Sequence, residues 1–103
     1  MKRRKIAADE RVEVRMSLRD RELLLEHTFV DPEYAQRLRA VPGKSGLVAG
    51  YTLDDLEDIL GHIAAEANHT EDRKLQEELD VLYERLAAVQ ESYDDGSGQE
   101  NAV

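Results

Sequence analysis

Apolar residues in the last third of this 103-residue chain recur at intervals of four, three, four, three and four positions. That spacing keeps them on one face of an α-helix for about five turns. No Gly or Pro interrupts the segment, and most residues between them favour or tolerate helix. We therefore predict a continuous helix over residues 71–93, with an apolar ridge that must be buried. The ridge comprises Leu75, Leu79, Leu82, Leu86, Val89 and Tyr93.

In two shorter segments, residues 11–16 and 47–51, every second residue is apolar. This period of two is typical of a β-strand with one buried face. The residues that share the apolar face are Val12, Val14 and Met16 in the first segment and Leu47, Ala49 and Tyr51 in the second. Because two helices separate the segments and return the chain, we expect the two strands to pair antiparallel.

Polar residues with helix-capping chemistry mark the starts of four helices. Ser17 and Thr52 each follow a predicted strand, and each has an aspartate three residues later that can complete a capping box. Asp31 precedes a proline, which predicts a helix from Pro32 to about Val41. Residues 68–70 predict a break, with Thr70 capping the last helix. The sequence at the start of the first helix also resembles that at the start of the third, 35 positions later. Internal duplication and coincidence both explain this resemblance.

These elements predict a mostly helical α+β fold in the order β-α-α-β-α-α. It has a two-stranded antiparallel sheet and a long C-terminal helical hairpin, because residues 53–67 carry an apolar face that matches the ridge. We expect residues 1–10 to form a basic flexible arm and residues 11–93 a single compact domain. Residues 94–103 are rich in Asp, Gly and Ser and predict a disordered acidic tail.

Charge is unevenly distributed in this chain, whose formal net charge is −9. Residues 1–44 hold 11 basic and 8 acidic side chains, whereas residues 45–103 hold 3 basic and 15 acidic ones. The acidic half disfavours nucleic acid as a partner and could meet the basic half of a second molecule. The absence of cysteine and of a long apolar run predicts a cytoplasmic protein without membrane contact.

The strongest candidate for chemistry is a polar face on the third helix, formed by Asp58, His62, Glu66 and His69. These residues lie within about an 80° arc, and the last two have the Glu-x-x-His spacing of di-iron helix bundles. The arc points away from the apolar face of the helix, whereas such metal sites project inward. A solvated polar face is the simpler interpretation, and a metal-dependent enzyme is the alternative.

Two further motifs have equally simple interpretations. The residues Gly43-Lys44-Ser45 resemble the end of a phosphate-binding loop, but Leu38 stands where that motif needs glycine, so we predict a plain turn. Residues 2–5 are all basic and would suit a nucleic-acid-associated regulator, but no aromatic residues are interleaved for base stacking. No catalytic motif or cofactor site is identifiable, and we expect a protein that is not an enzyme.

The long last helix suggests how such a protein acts. The predicted helix over residues 71–93 is longer than the preceding helix by roughly two turns. The part of the ridge at Leu86, Val89 and Tyr93 must therefore be buried by other helices or by a second chain. The two-stranded sheet also has open edges. We therefore expect a homodimeric protein-interaction module that makes contact through the end of the last helix or through a strand edge.

Overall fold

The computed structural model describes residues 3–43 and 45–95. Within these ranges the chain forms four helices and five strands in an α+β arrangement. In chain order the elements are β1 (Arg4–Lys5), β2 (Val12–Met16), α1 (Leu18–His27), α2 (Pro32–Gln36), β3 (Arg39–Ala40), β4 (Leu47–Tyr51), α3 (Leu53–His69), α4 (Arg73–Glu91) and β5 (Tyr93–Asp94). Lys44 of the predicted turn and residues 96–103 of the predicted tail lie outside the described residues.

The main sheet has three strands in the order β2-β4-β3, and both pairings are antiparallel. The predicted pairing of β2 with β4 is confirmed, with Val14 opposite Ala49. The two-stranded sheet is wrong, because β3 adds a strand on the other side of β4. The predicted order β-α-α-β-α-α is therefore incomplete.

The third strand replaces the end of a predicted helix. We expected the helix that starts at Pro32 to continue to Val41, but α2 ends at Gln36 and Arg39 already pairs with Val48. Leu38 is nevertheless buried, as the predicted longer helix required. A short helix followed by extended chain therefore places this side chain in the core just as a longer helix would have done. Gly43, with a φ of 82°, lies in the turn that returns the chain to β4.

A second, two-stranded sheet joins the two ends of the described chain. Strands β1 and β5 are parallel, and Arg4 lies opposite Tyr93. The backbone N–H of Arg4 donates to the carbonyl of Ser92 at 2.9 Å, and the N–H of Ile6 donates to the carbonyl of Asp94 at 2.9 Å. Two residues of the predicted flexible arm and the first residue of the predicted tail are therefore paired strands.

Helices α3 and α4 form the predicted hairpin, joined by residues 70–72. The cap of α4 differs from the expectation: Asp72 accepts hydrogen bonds from the N–H groups of Lys74 and Leu75, whereas Thr70 ends α3. Asp72 lies three residues before the ridge begins, and its side chain supplies the capping acceptor that was predicted for Thr70. Helix α4 is continuous from Leu75 to Val89 of the ridge and ends at Glu91, two residues before the predicted end. The last ridge residue, Tyr93, lies in β5 instead.

The core is one cluster between the helices and the inner face of the sheet. Every second residue of β2 and of β4 is buried, as predicted. Leu79 and Leu82 of the ridge have no exposed surface. Residues of α3 that pack in the same cluster are Leu53, Leu56, Ile59, Leu60, Ile63 and Ala67.

A buried aspartate attaches α1 to α4. Asp20 completes the predicted capping box with Ser17, since its carboxylate accepts from the Ser17 N–H at 2.8 Å. The same carboxylate accepts from the guanidinium of Arg85 in α4 at 2.7 Å. Asp20 is the one charged residue buried among residues 3–43 and 45–95, and these bonds satisfy it.

None of the helices in the described ranges combines the length and the apolar character needed to cross a bilayer.

We predict that Leu82→Ala lowers the free energy of unfolding by about 2–5 kcal/mol, because it leaves a cavity in the core. The control is Val81→Ala, since the neighbouring Val81 is 56 % exposed and its truncation should change stability by less than about 0.5 kcal/mol. Urea denaturation of both variants measures the difference. Equal losses would contradict the placement of the ridge.

Candidate functional site

The four polar side chains predicted on one face of α3 are not brought together around one point among the described residues. The ring of His62 lies 3.7 Å from the carboxylate of Asp58, one turn away on the helix. Glu66 and His69 do not join this pair, and no group of three or more potential ligands occurs within the ranges that the structure describes. The metal-dependent alternative therefore has no supporting ligand set there.

The residues expected to contact a partner at the end of α4 are covered to different extents within the chain. Leu86 is 1 % exposed, whereas Val89 and Tyr93 are half-buried and pack against the core. Ile6, which follows β1, also packs against this core. Ile6 is the first large apolar side chain after the basic run of residues 2–5, and this position is the one sequence signal that it packs inward.

The basic start of the chain lies among acidic residues. Arg3 lines a shallow cavity of about 270 Å³ together with Asp54, Glu57 and Glu91. Carboxylates that line the same cavity as Arg3 reduce the positive potential that a nucleic-acid-binding arm needs. The exposed side chains of Arg4 and Lys5 lie on β1, while the first two residues are outside the description.

A surface that the sequence pattern did not reveal lies on the opposite side of the sheet from the helices. The exposed residues of β2 alternate with its buried ones, and β3 adds its own exposed residues. Val48 lies between Arg15 and Arg39 in the strand register, and Gly50 lies opposite Glu13. A shallow groove of about 420 Å³ runs along this outer face. Its lining residues are Arg11, Val12, Glu13, Arg37, Arg39, Val48, Ala49 and Gly50.

Arg37 is fixed at one side of this groove. Its guanidinium donates to the carboxylate of Asp55 at 3.0 Å and to the carbonyl of Gly50 at 3.3 Å. A third bond, of 3.2 Å, goes to the carboxylate of Glu33 one helical turn away. Arg37 therefore ties the end of α2 to β4 and to the start of α3.

Two tyrosine rings support the same arginine. The guanidinium carbon of Arg37 lies 5.3 Å from the ring centre of Tyr34 and 5.6 Å from that of Tyr51. The hydroxyl of Tyr51 donates to the backbone carbonyl of Tyr34. Burial raises the pKa of Tyr51 to about 12, so this hydroxyl keeps its proton at neutral pH.

The carboxylate of Asp55 has two functions. It accepts from the Thr52 N–H at 3.0 Å, which completes the second predicted capping box, and it pairs with Arg37. Partial burial alone would raise the pKa of Asp55, but the hydrogen bonds from Thr52 and Arg37 outweigh burial and lower it. Asp55 therefore stays ionised at neutral pH.

Strand β2 has a neighbour on one side only. Strand β4 pairs with it through five residue pairs, and no described residue forms a strand on its other side. The side chains of Glu13 and Arg15 on its outer face are 58 % and 59 % exposed and lie 3.9 Å apart. Leu18 begins α1 two residues beyond β2 and is 65 % exposed. The described chain thus presents an open edge of five residues.

No protein-family model, curated protein or solved structure matches this chain. The proposals below therefore rest on its own residues.

We predict that Arg37→Met makes stability less sensitive to acid. Because the pKa of Asp55 is lower in the folded chain than in the unfolded one, its ionised form adds stability above the unfolded-state pKa. This contribution disappears as the pH falls through the folded-state pKa, and removal of Arg37 makes it smaller. Urea denaturation at several pH values between neutral and strongly acidic measures the effect.

Arg73→Met is the matched control for this experiment, since Arg73 is exposed and makes no ion pair with any described residue. It should retain the acid sensitivity of the wild type. The explanation fails if Arg37→Met loses as much stability on acidification as the wild type. It also fails if carboxyl NMR gives Asp55 an ordinary or raised pKa.

Proposed function

We propose that this chain is a non-enzymatic protein-interaction module that acts as a homodimer through the open edge of β2. The observation that carries the proposal is the charge pattern of that edge, because it is complementary to itself when two copies meet antiparallel. A second copy would extend the sheet from three strands to six. Sheet extension of this kind removes the open edge, which is otherwise an aggregation hazard.

The favoured register is centred on Val14. A two-fold axis at this residue places Glu13 of each copy opposite Arg15 of the second copy, so two opposite-charge pairs form on the outer face. On the inner face Val12 then lies opposite Met16 of the second copy. Opposite charges directly across antiparallel strands stabilise the pairing, and like charges destabilise it.

Neighbouring registers are less favourable. A register centred on Glu13 places the two Glu13 carboxylates opposite each other and puts Arg11 opposite Arg15. A register centred on Arg15 places two guanidinium groups opposite each other. A shift that pairs residues of opposite parity would turn apolar side chains to the solvent side. The sequence of β2 therefore favours one symmetric, isologous pairing.

Burial within the chain supports the choice of this edge over the end of α4. Leu86 is covered by its own chain, whereas Glu13 and Arg15 are more than half exposed. The other edge of the sheet is β3, which has only two residues. Among the described strands, β2 offers the longest unpaired edge. The cytoplasmic location and the absence of catalysis remain predictions.

Charge reversal tests the register. Glu13→Arg and Arg15→Glu each convert two attractive pairs into two repulsive ones, so each variant alone should dimerise about tenfold to a hundredfold more weakly than the wild type. An equimolar mixture of the two variants should recover the dimer, because every cross-strand pair is again opposite in charge. Analytical ultracentrifugation measures both results.

The matched control is Glu26→Arg, an equal change of charge at an exposed position of α1, which should leave the dimer intact. The double variant Glu13→Arg/Arg15→Glu should also dimerise, since the swapped pattern is again self-complementary. A wild type that stays monomeric at high micromolar concentration would refute the homodimer. Single variants that dimerise as well as the wild type would refute the register.

A further inference from the structure

Two arginines on the outer face of the sheet carry positive charge beside a single lining carboxylate, that of Glu13. Arg11 precedes β2 and Arg39 lies in β3, and both are exposed. Neither makes an ion pair with any described residue. The third arginine of the groove, Arg37, is balanced by its bonds to Asp55 and Glu33. In a chain with a net charge of −9, this is a local surplus of positive charge.

The strand order places these two arginines on opposite sides of the groove. Strand β4 separates β2 from β3, so the two outer strands lie about 10 Å apart. The side chain of Arg11 extends over β4, because its Cβ and Cδ atoms lie 3.3 and 3.5 Å from the point where a Cβ on Gly50 would stand. Arg39 lies opposite Val48. Two flexible cationic side chains therefore flank one stretch of β4.

The floor between them suits a ligand that lies close to the backbone. Gly50 has no side chain, and a Cβ at this position would crowd Arg11. The carbonyl of Gly50 accepts from Arg37, which fixes the wall of the groove at that end. Val48 adds a half-buried apolar side chain to the floor. At about 420 Å³ the groove has the volume of a small-molecule site.

We propose that this groove binds a small ligand through a phosphate monoester held between Arg11 and Arg39. A phosphate monoester carries a charge of nearly −2 at neutral pH, which matches two unpaired guanidinium groups. A long polyanion fits less well, because residues 45–103 hold 15 acidic side chains and only 3 basic ones. The two arginines take no part in the proposed dimer contact, since neither belongs to the Glu13–Arg15 pairs, whereas Glu13 lines the groove as well.

An NMR titration of the isotope-labelled full chain with phenyl phosphate tests this site, with benzoate as a monoanion of similar shape. Phenyl phosphate should cause saturable shifts of the Val48 and Gly50 amides, and benzoate should bind at least about tenfold more weakly. Arg11→Ala and Arg39→Ala should each weaken phenyl phosphate binding about tenfold. Arg73→Ala removes the same charge from an exposed position outside the groove and should leave binding unchanged.

Three results would overturn the proposal. The first is the absence of saturable shifts at Val48 and Gly50 when phenyl phosphate is added at constant ionic strength. The second is equal binding by the wild type and by both groove variants, with native spectra that show all of them folded. The third is tighter saturable binding of a short oligothymidylate than of phenyl phosphate at these amides, which would identify a nucleic-acid surface.

Discussion

Burial of the leucine ridge of α4 is the interaction on which the rest of this structure depends. Leu75, Leu79, Leu82 and Leu86 belong to the same cluster as the apolar face of α3 and the inner face of the sheet. Full burial of a leucine side chain contributes roughly 1.5–3 kcal/mol, so these four residues alone outweigh any surface ion pair in the chain. Helix α4 cannot separate from α3 without exposing this ridge.

That burial also decides where the chain can meet other molecules. Every second residue of β2 and β4 faces the core, so the remaining residues form a polar surface on the other side of the sheet. Arg37 strengthens this arrangement by joining α2, β4 and α3 through two ion pairs and a backbone carbonyl. Both proposed contacts, the β2 edge and the arginine groove, lie on this side of the sheet.

The long periodic elements were predictable because their patterns are repeated several times. The ridge of α4, the alternation of β2 and both capping boxes follow from local spacing and side-chain chemistry, and all are present. Strands β1, β3 and β5 were not predicted, since two residues are too few to show a period. Each of them is defined by a partner distant in sequence, such as Tyr93 for Arg4.

The candidate surfaces were harder to predict than the core, for a related reason. Asp58, His62, Glu66 and His69 share a helical face, but a shared face does not bring side chains together around one point. Arg11, Arg37 and Arg39 are scattered along the chain, and the strand order β2-β4-β3 brings them together. The open edge of β2 was foreseen only in general terms, because the sequence did not reveal which strand would be central.

Amide hydrogen exchange at several protein concentrations tests the central claim, pairing of β2 with a second copy, most directly. We predict that the outward-facing backbone N–H groups of β2 exchange more slowly as the protein concentration rises, while those of the already paired β4 change little. Protection of β2 that is independent of concentration would contradict the account.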